Sequence, residues 1–97
     1  MSSPDIGFLL QLEQVIAARK AERSETSYTA KLFRAGPSRI AQKVGEEGVE
    51  LALASVTDDR AKVISEAADL LYHMLVLLNS RETGLADVVT ELERRHR

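Results

Sequence analysis

Two pairs of acidic residues stand out by their spacing. Glu47 and Glu50 are three residues apart, as are Glu66 and Asp69, so each pair occupies one face of a helix. Residues 44–56 contain three glutamates and residues 63–80 contain two acids, and neither stretch holds a lysine or arginine. Solvated helices ordinarily alternate acids with Lys or Arg four residues away. The pairs are symmetric about Asp58: Glu50 lies 8 residues before it and Glu66 lies 8 after, while Glu47 and Asp69 lie 11 before and after. With a rise of about 1.5 Å per residue, two antiparallel helices set these pairs level, roughly 12 and 16 Å from the turn. Four converging carboxylates repel and raise one another's pKa. A hard divalent cation removes that conflict. All-oxygen ligands select Mg²⁺, Mn²⁺ or Ca²⁺, and without a calcium-type ligand loop Mg²⁺ is preferred. Mg²⁺ takes part of its shell from substrate phosphates, so the chemistry expected is phosphoryl chemistry. The competing reading makes these acids solvated helix faces, and the matched pairs weigh against it.

Neighbouring residues extend the constellation. Lys43 and His73 lie 15 residues either side of Asp58, so the same register sets them level. Lys43 precedes Glu47 by four residues, which lets it reach a phosphate beside the metal or simply pair with Glu47. His73 falls within the apolar run Leu70–Leu78 and reads as a core or interface histidine rather than a ligand. Tyr72 reads as a packed ring whose hydroxyl needs a partner.

The elements that must position these residues are helical almost throughout, since few β-branched or aromatic runs alternate with period two. A first helix is expected over about Ile6–Glu22, burying Phe8, Leu9, Leu12, Val15 and Ile16. Arg23–Ser27 reads as a loop, and Tyr28–Ala35 as one or two helical turns stopped by Gly36. A long helix follows from Pro37 or Ser38 to about Val56, burying Ile40, Val44, Leu51 and Leu53. Gly45 and Gly48 inside it cost about 1 kcal/mol each relative to alanine, which reflects either close approach of a backbone or ligand, or tolerance in a well-packed helix. Thr57–Asp59 supply the turn and the cap of a helix running from about Asp59 to Arg81. Its Leu70–Leu78 segment is apolar nearly all round and predicts burial on every side. So small a chain has little with which to surround it, so a homodimer is expected. A last helix, Leu85–Arg95, is expected to bury Leu85, Val88, Val89 and Leu92. The fold class is an all-α antiparallel bundle of four to five helices, with residues 1–97 as one domain.

Composition narrows the function classes. The chain has 97 residues, a net charge of −2 and no cysteine. Disulfides, zinc–thiolate sites and cysteine nucleophiles are thereby excluded. No basic field or recognition helix exists to hold nucleic acid. The tail Arg94-Arg95-His96-Arg97 instead complements a helix C-terminus. The start, Met1–Asp5, lacks the basic region of a signal peptide, and no apolar run reaches the roughly 20 residues of a membrane span. A cytoplasmic protein is expected.

The sequence also resembles known families. Glu47-x-x-Glu50 followed by Glu66-x-x-Asp69 is similar to the ExxE…ExxD signature of the all-α nucleoside triphosphate pyrophosphohydrolases, the MazG-like superfamily. Ser27–Phe33, Arg39–Glu50 and Glu66–His73 resemble the phosphoribosyl-ATP pyrophosphohydrolase family of histidine biosynthesis, and the likeness extends over about Leu9 to His96. The resemblance implies Mg²⁺-dependent hydrolysis of phosphoribosyl-ATP to phosphoribosyl-AMP and pyrophosphate by a cytoplasmic homo-oligomer. It implies Glu47, Glu50, Glu66 and Asp69 as metal ligands. Some members are fused to the cyclohydrolase of the next step, and a chain of this length is expected to be the stand-alone form. Gly48 stands where alanine is common, and Gly84-Leu85-Ala86 replaces a serine cap on the last helix.

The mechanism expected is in-line attack of a metal-bound or carboxylate-oriented water, with the metal carrying the charge that builds on the leaving pyrophosphate. Glu47 or Glu50 is the base if a side chain fills that role. Glu46 is a spare acid, either behind the metal ligands or facing solvent. Lys43, Lys31 and Arg39 are candidates to hold phosphates, each against the alternative of a surface cation. Tyr28 and Thr29 either shape the substrate pocket or anchor the loop. Two rival functions remain: a house-cleaning nucleotide pyrophosphatase of the same superfamily, and a non-catalytic helical dimerisation module.

Overall fold

A computed structural model describes residues 4–22, 25–57 and 59–97. Asp58, the centre of the symmetric spacing, and Arg23 and Ser24 of the expected loop lie outside the described residues. The chain forms five helices: α1 (Phe8–Ala21), α2 (Tyr28–Ala35), α3 (Pro37–Thr57), α4 (Arg60–Ser80) and α5 (Leu85–Arg95). Among the described residues there is no strand. None of the helices is long and apolar enough to cross a membrane.

Local chemistry sets the helix ends. The Ser27 side chain accepts a hydrogen bond from the Ala30 amide at 3.2 Å and caps α2. Gly36 ends α2 with φ at 100°, a region that glycine enters without a Cβ penalty. Pro37 then opens α3 at the position its fixed φ favours. Asp59 caps α4 by accepting from the Lys62 amide at 3.0 Å. At α5 the Gly84 amide donates to Asp87 Oδ2 at 2.9 Å, and the Leu85 amide donates to Glu13 Oε2 of α1 at 2.7 Å. That second contact replaces the serine cap the sequence lacks.

The antiparallel pair α3–α4 is the most extensive helix contact, and α1 and α2 pack across it. The core is Ile16, Leu32, Ile40, Leu75 and Val76, with Leu9, Leu12, Phe33, Tyr72, Leu77 and Leu85 packed around it. Several burial expectations change. Phe8 and Val15 are exposed while Ile16, on the adjoining face of α1, is buried. Leu53 is exposed, and Val44 and Leu51 are half-buried. Within Leu70–Leu78 only His73, Leu75 and Val76 are buried, so one chain does not surround this segment. α5 buries no residue, and Val89 and Leu92 remain exposed. The reason is geometric: α5 joins none of the principal helix pairs, so its apolar face has little to cover it. Neither Gly45 nor Gly48 has a heavy atom within 4 Å of where a Cβ would stand, so no described backbone requires a glycine there.

Candidate active site

The carboxylates meet midway along the α3–α4 hairpin. One oxygen each from Glu47, Glu66 and Asp69 lie within 4.8 Å of one another. Glu47 and Glu66 are buried, whereas Asp69 is exposed. Glu50, one turn beyond Glu47, is exposed and not part of that trio, but it interacts electrostatically with Glu66 and Glu47. Its pKa is raised, first by the adjacent Glu66 carboxylate, then by the charge of Glu47 and by burial. Glu66 is shifted the other way. Lys62, one turn earlier on α4, reaches Glu66 Oε1 at 2.9 Å and outweighs the cost of burying the charge.

Two buried carboxylate oxygens, Glu47 Oε2 and Glu66 Oε2, have no hydrogen-bond partner. Buried acceptors of that kind are rare and costly. A set of hard oxygen donors with two of them orphaned fits a hard divalent cation better than it fits a solvated helix face. Glu47, Glu66 and Asp69 could hold such an ion, with Glu50 alongside.

Cations line the α3 side. Lys43 Nζ lies 3.4 Å from Glu47 Oε1 and 4.0 Å from Glu46 Oε2. Burial lowers its pKa, but Glu47, Tyr28 and Glu46 together outweigh burial and leave it raised, so Lys43 stays charged. Arg39 Nη1 lies 3.7 Å from Glu46 Oε1. Glu46 therefore faces Arg39 and Lys43 at the edge of the cluster, outside the trio. Lys31 is exposed on α2.

On the α2 side, the Tyr28 hydroxyl lies 2.7 Å from His73 Nε2, and His73 Nδ1 lies 2.8 Å from the Asp69 carbonyl oxygen. His73 is a buried histidine, as its apolar setting indicates. Its ring meets those of Tyr28 and Tyr72 edge-on, at 5.7 and 5.3 Å between centroids. Tyr72 has a raised pKa, first from burial, then from Tyr28, with Arg19 opposing. Thr29 is buried next to Tyr28.

Sequence reasoning missed two features. Lys62 sits just outside the stretch scanned for basic residues, although its four-residue spacing to Glu66 was legible. The Tyr28–His73 hydrogen bond joins residues 45 apart and left no local signal.

Comparison with known proteins bears on this site. A family profile described as phosphoribosyl-ATP pyrophosphohydrolase matches residues 9–96. The chain is 56% identical over 89 residues to the histidine biosynthesis bifunctional protein HisIE of Shigella sonnei, covering 92% of this chain and 44% of that protein. It is 53% identical over 93 residues to the protein of the same description from Photobacterium profundum, covering 96% and 45%. The Campylobacter jejuni protein of that description is 54% identical over 93 residues, covering 96% and 45%. The chain thus spans less than half the length of the curated relatives it matches.

Proposed function

Because the chain belongs to the phosphoribosyl-ATP pyrophosphohydrolase family, we propose that it hydrolyses phosphoribosyl-ATP to phosphoribosyl-AMP and pyrophosphate in histidine biosynthesis. The observation that carries this reading is the trio Glu47, Glu66 and Asp69, with its two orphaned buried oxygens. Water adds to phosphorus, the anhydride between the α- and β-phosphates breaks, and pyrophosphate leaves. Glu47, Glu66 and Asp69, with Glu50 alongside, would hold Mg²⁺, which when bound would supply positive charge to the phosphate oxygens and the leaving group.

The chain's own residues supply the rest. Glu50 or Glu47 orients the attacking water and takes its proton. Lys43, held charged by Glu47, and Arg39 neutralise phosphate oxygens at the α3 edge. Glu46 keeps these two cations together. Lys31 and Tyr28 contribute contacts from α2. No nucleophilic side chain and no covalent intermediate are needed.

The enzyme works as a cytoplasmic homodimer, with residues 1–97 as a single domain. Support for the dimer is the stripe of exposed Val49, Leu53 and Val56 along α3, at spacings that share a face.

The test is direct assay of the purified chain. Pyrophosphate release from phosphoribosyl-ATP is expected with Mg²⁺ and not with chelator. Glu50→Gln is expected to keep the helical spectrum and lose at least a hundredfold of kcat, in line with removal of a metal or general-base carboxylate. Parent-rate hydrolysis by that variant would falsify the metal-centre assignment. Faster turnover of ordinary nucleoside triphosphates in a substrate panel would move the activity to nucleotide house-cleaning.

A further inference from the structure

His73 is a buried polar side chain that the hydrolytic chemistry above does not use. Its hydrogen bonds fix its tautomer. The Asp69 carbonyl oxygen can only accept, so Nδ1 carries a hydrogen and donates it at 2.8 Å. Nε2 of that tautomer is an acceptor, so the Tyr28 hydroxyl donates to it at 2.7 Å. The ring meets Tyr28 and Tyr72 in edge-on contacts, with interplanar angles of 89° and 82°. Its Nδ1 also lies 3.9 Å from Glu47 Oε1.

The consequence falls on Tyr28. Its ring is 49% exposed at the first turn of α2, yet its hydroxyl is anchored in the interior. With its proton committed to His73, the phenolic oxygen presents lone pairs to its other neighbours. One buried imidazole therefore links α4 to α2, beside Glu47 of α3.

We propose that His73 is a positioning residue for substrate binding: by accepting the Tyr28 hydroxyl hydrogen at Nε2 it fixes the exposed Tyr28 ring beside the carboxylate cluster, where it contacts the substrate. This rests on reading the carboxylates as the active centre. Glu47, Glu66 and Asp69 stand on α3 and α4, so removing the Tyr28 hydroxyl on α2 takes away none of their own contacts.

Four variants separate this role from a structural one. Tyr28→Phe keeps the ring and removes the hydrogen bond. His73→Gln keeps an acceptor where Nε2 stood, whereas His73→Asn keeps only a group near Nδ1. Tyr28→Phe and His73→Asn are expected to raise KM for phosphoribosyl-ATP by about five- to tenfold, the worth of one partly buried hydrogen bond, with a much smaller fall in kcat. His73→Gln is expected to restore most of the loss. The double variant Tyr28→Phe/His73→Asn is expected to be no worse than either single change. Mg²⁺ affinity of the substrate-free protein, read by calorimetry, is expected to stay within twofold throughout. In ¹⁵N-imidazole NMR spectra the metal-free parent is expected to show the Nδ1–H tautomer, with the Nε2 resonance displaced by Tyr28→Phe.

An unchanged KM in Tyr28→Phe, equal loss in His73→Gln and His73→Asn, a fall confined to kcat, or the opposite tautomer would each overturn the proposal alone. A parent chain that does not hydrolyse phosphoribosyl-ATP would overturn the functional reading, and this proposal with it. Should His73→Asn fail to fold, Tyr28→Phe and the spectrum of the parent still decide the matter.

Discussion

At the scale of single residues, the site is a set of charges that conflict until a cation arrives. Glu50 is the clearest case, because Glu66 and Glu47 raise its pKa from the ordinary carboxylate value. A carboxyl with a raised folded-state pKa binds its proton more tightly in the native chain than in the unfolded one. Its ionised form therefore destabilises the metal-free fold, and stability rises as pH falls through that raised pKa towards the unfolded value. Below that window the sign reverses. Glu66 and Glu91, held low by Lys62 and by Arg94, then lose their stabilising charge. In chelator, the parent's melting temperature is expected to climb as pH falls from neutrality towards the ordinary carboxylate pKa, while that of Glu50→Gln stays flatter. Parallel curves would remove Glu50 from the cluster. Lys62 poses a related test. It occupies Glu66 Oε1 from a position that is 54% exposed, so it acts as a tethered competitor for the cation. Lys62→Gln is expected to tighten Mg²⁺ binding about two- to fivefold, the scale of a solvent-screened ion pair. Calorimetry showing weaker binding would mean that Lys62 supports the site instead.

At the scale of elements, α3 and α4 carry the carboxylates, α2 supplies Tyr28, and α5 reaches the core through Leu85 without burying any residue fully. The sequence spacing of acids about Asp58 is consistent with the observed convergence because two straight antiparallel helices conserve register over several turns. α5 illustrates the opposite situation. Its pattern marks an apolar face but not what the face meets, and here it buries nothing. The start of α5 depends on a carboxylate from α1, the Glu13 contact to the Leu85 amide. Glu13→Ala is expected to cost about 1 kcal/mol, the usual worth of an N-terminal cap. Hydrogen exchange should quicken first at the α5 amides, and unaltered exchange there would show that Asp87 suffices.

At the scale of the whole molecule, apolar surface remains that a single chain does not cover. Val49, Leu53 and Val56 are 59%, 58% and 78% exposed along one face of α3, and Ile64 of α4 is 51% exposed. Glu50 lies within the same stretch of α3, so a second copy seated on this stripe would border the carboxylates. Leu53→Asp is expected to convert dimer to monomer in sedimentation velocity at micromolar concentration, because burying an unpaired carboxylate in an apolar interface is prohibitive. An unchanged sedimentation coefficient would place the interface elsewhere.

The helical class, the bounds of α2 and α5, and the two acidic pairs were legible in the sequence, because each rests on local rules. Periodicity of 3.6 residues, Gly36 as a stop and three-residue spacing act within a turn or two of chain. Which face of α1 is buried, that Leu53 is exposed, that Glu13 caps α5, and that Tyr28 meets His73 were decided only in the tertiary structure. Those contacts join residues up to 72 apart, and their energies depend on where rigid helices meet rather than on the chain's local pattern.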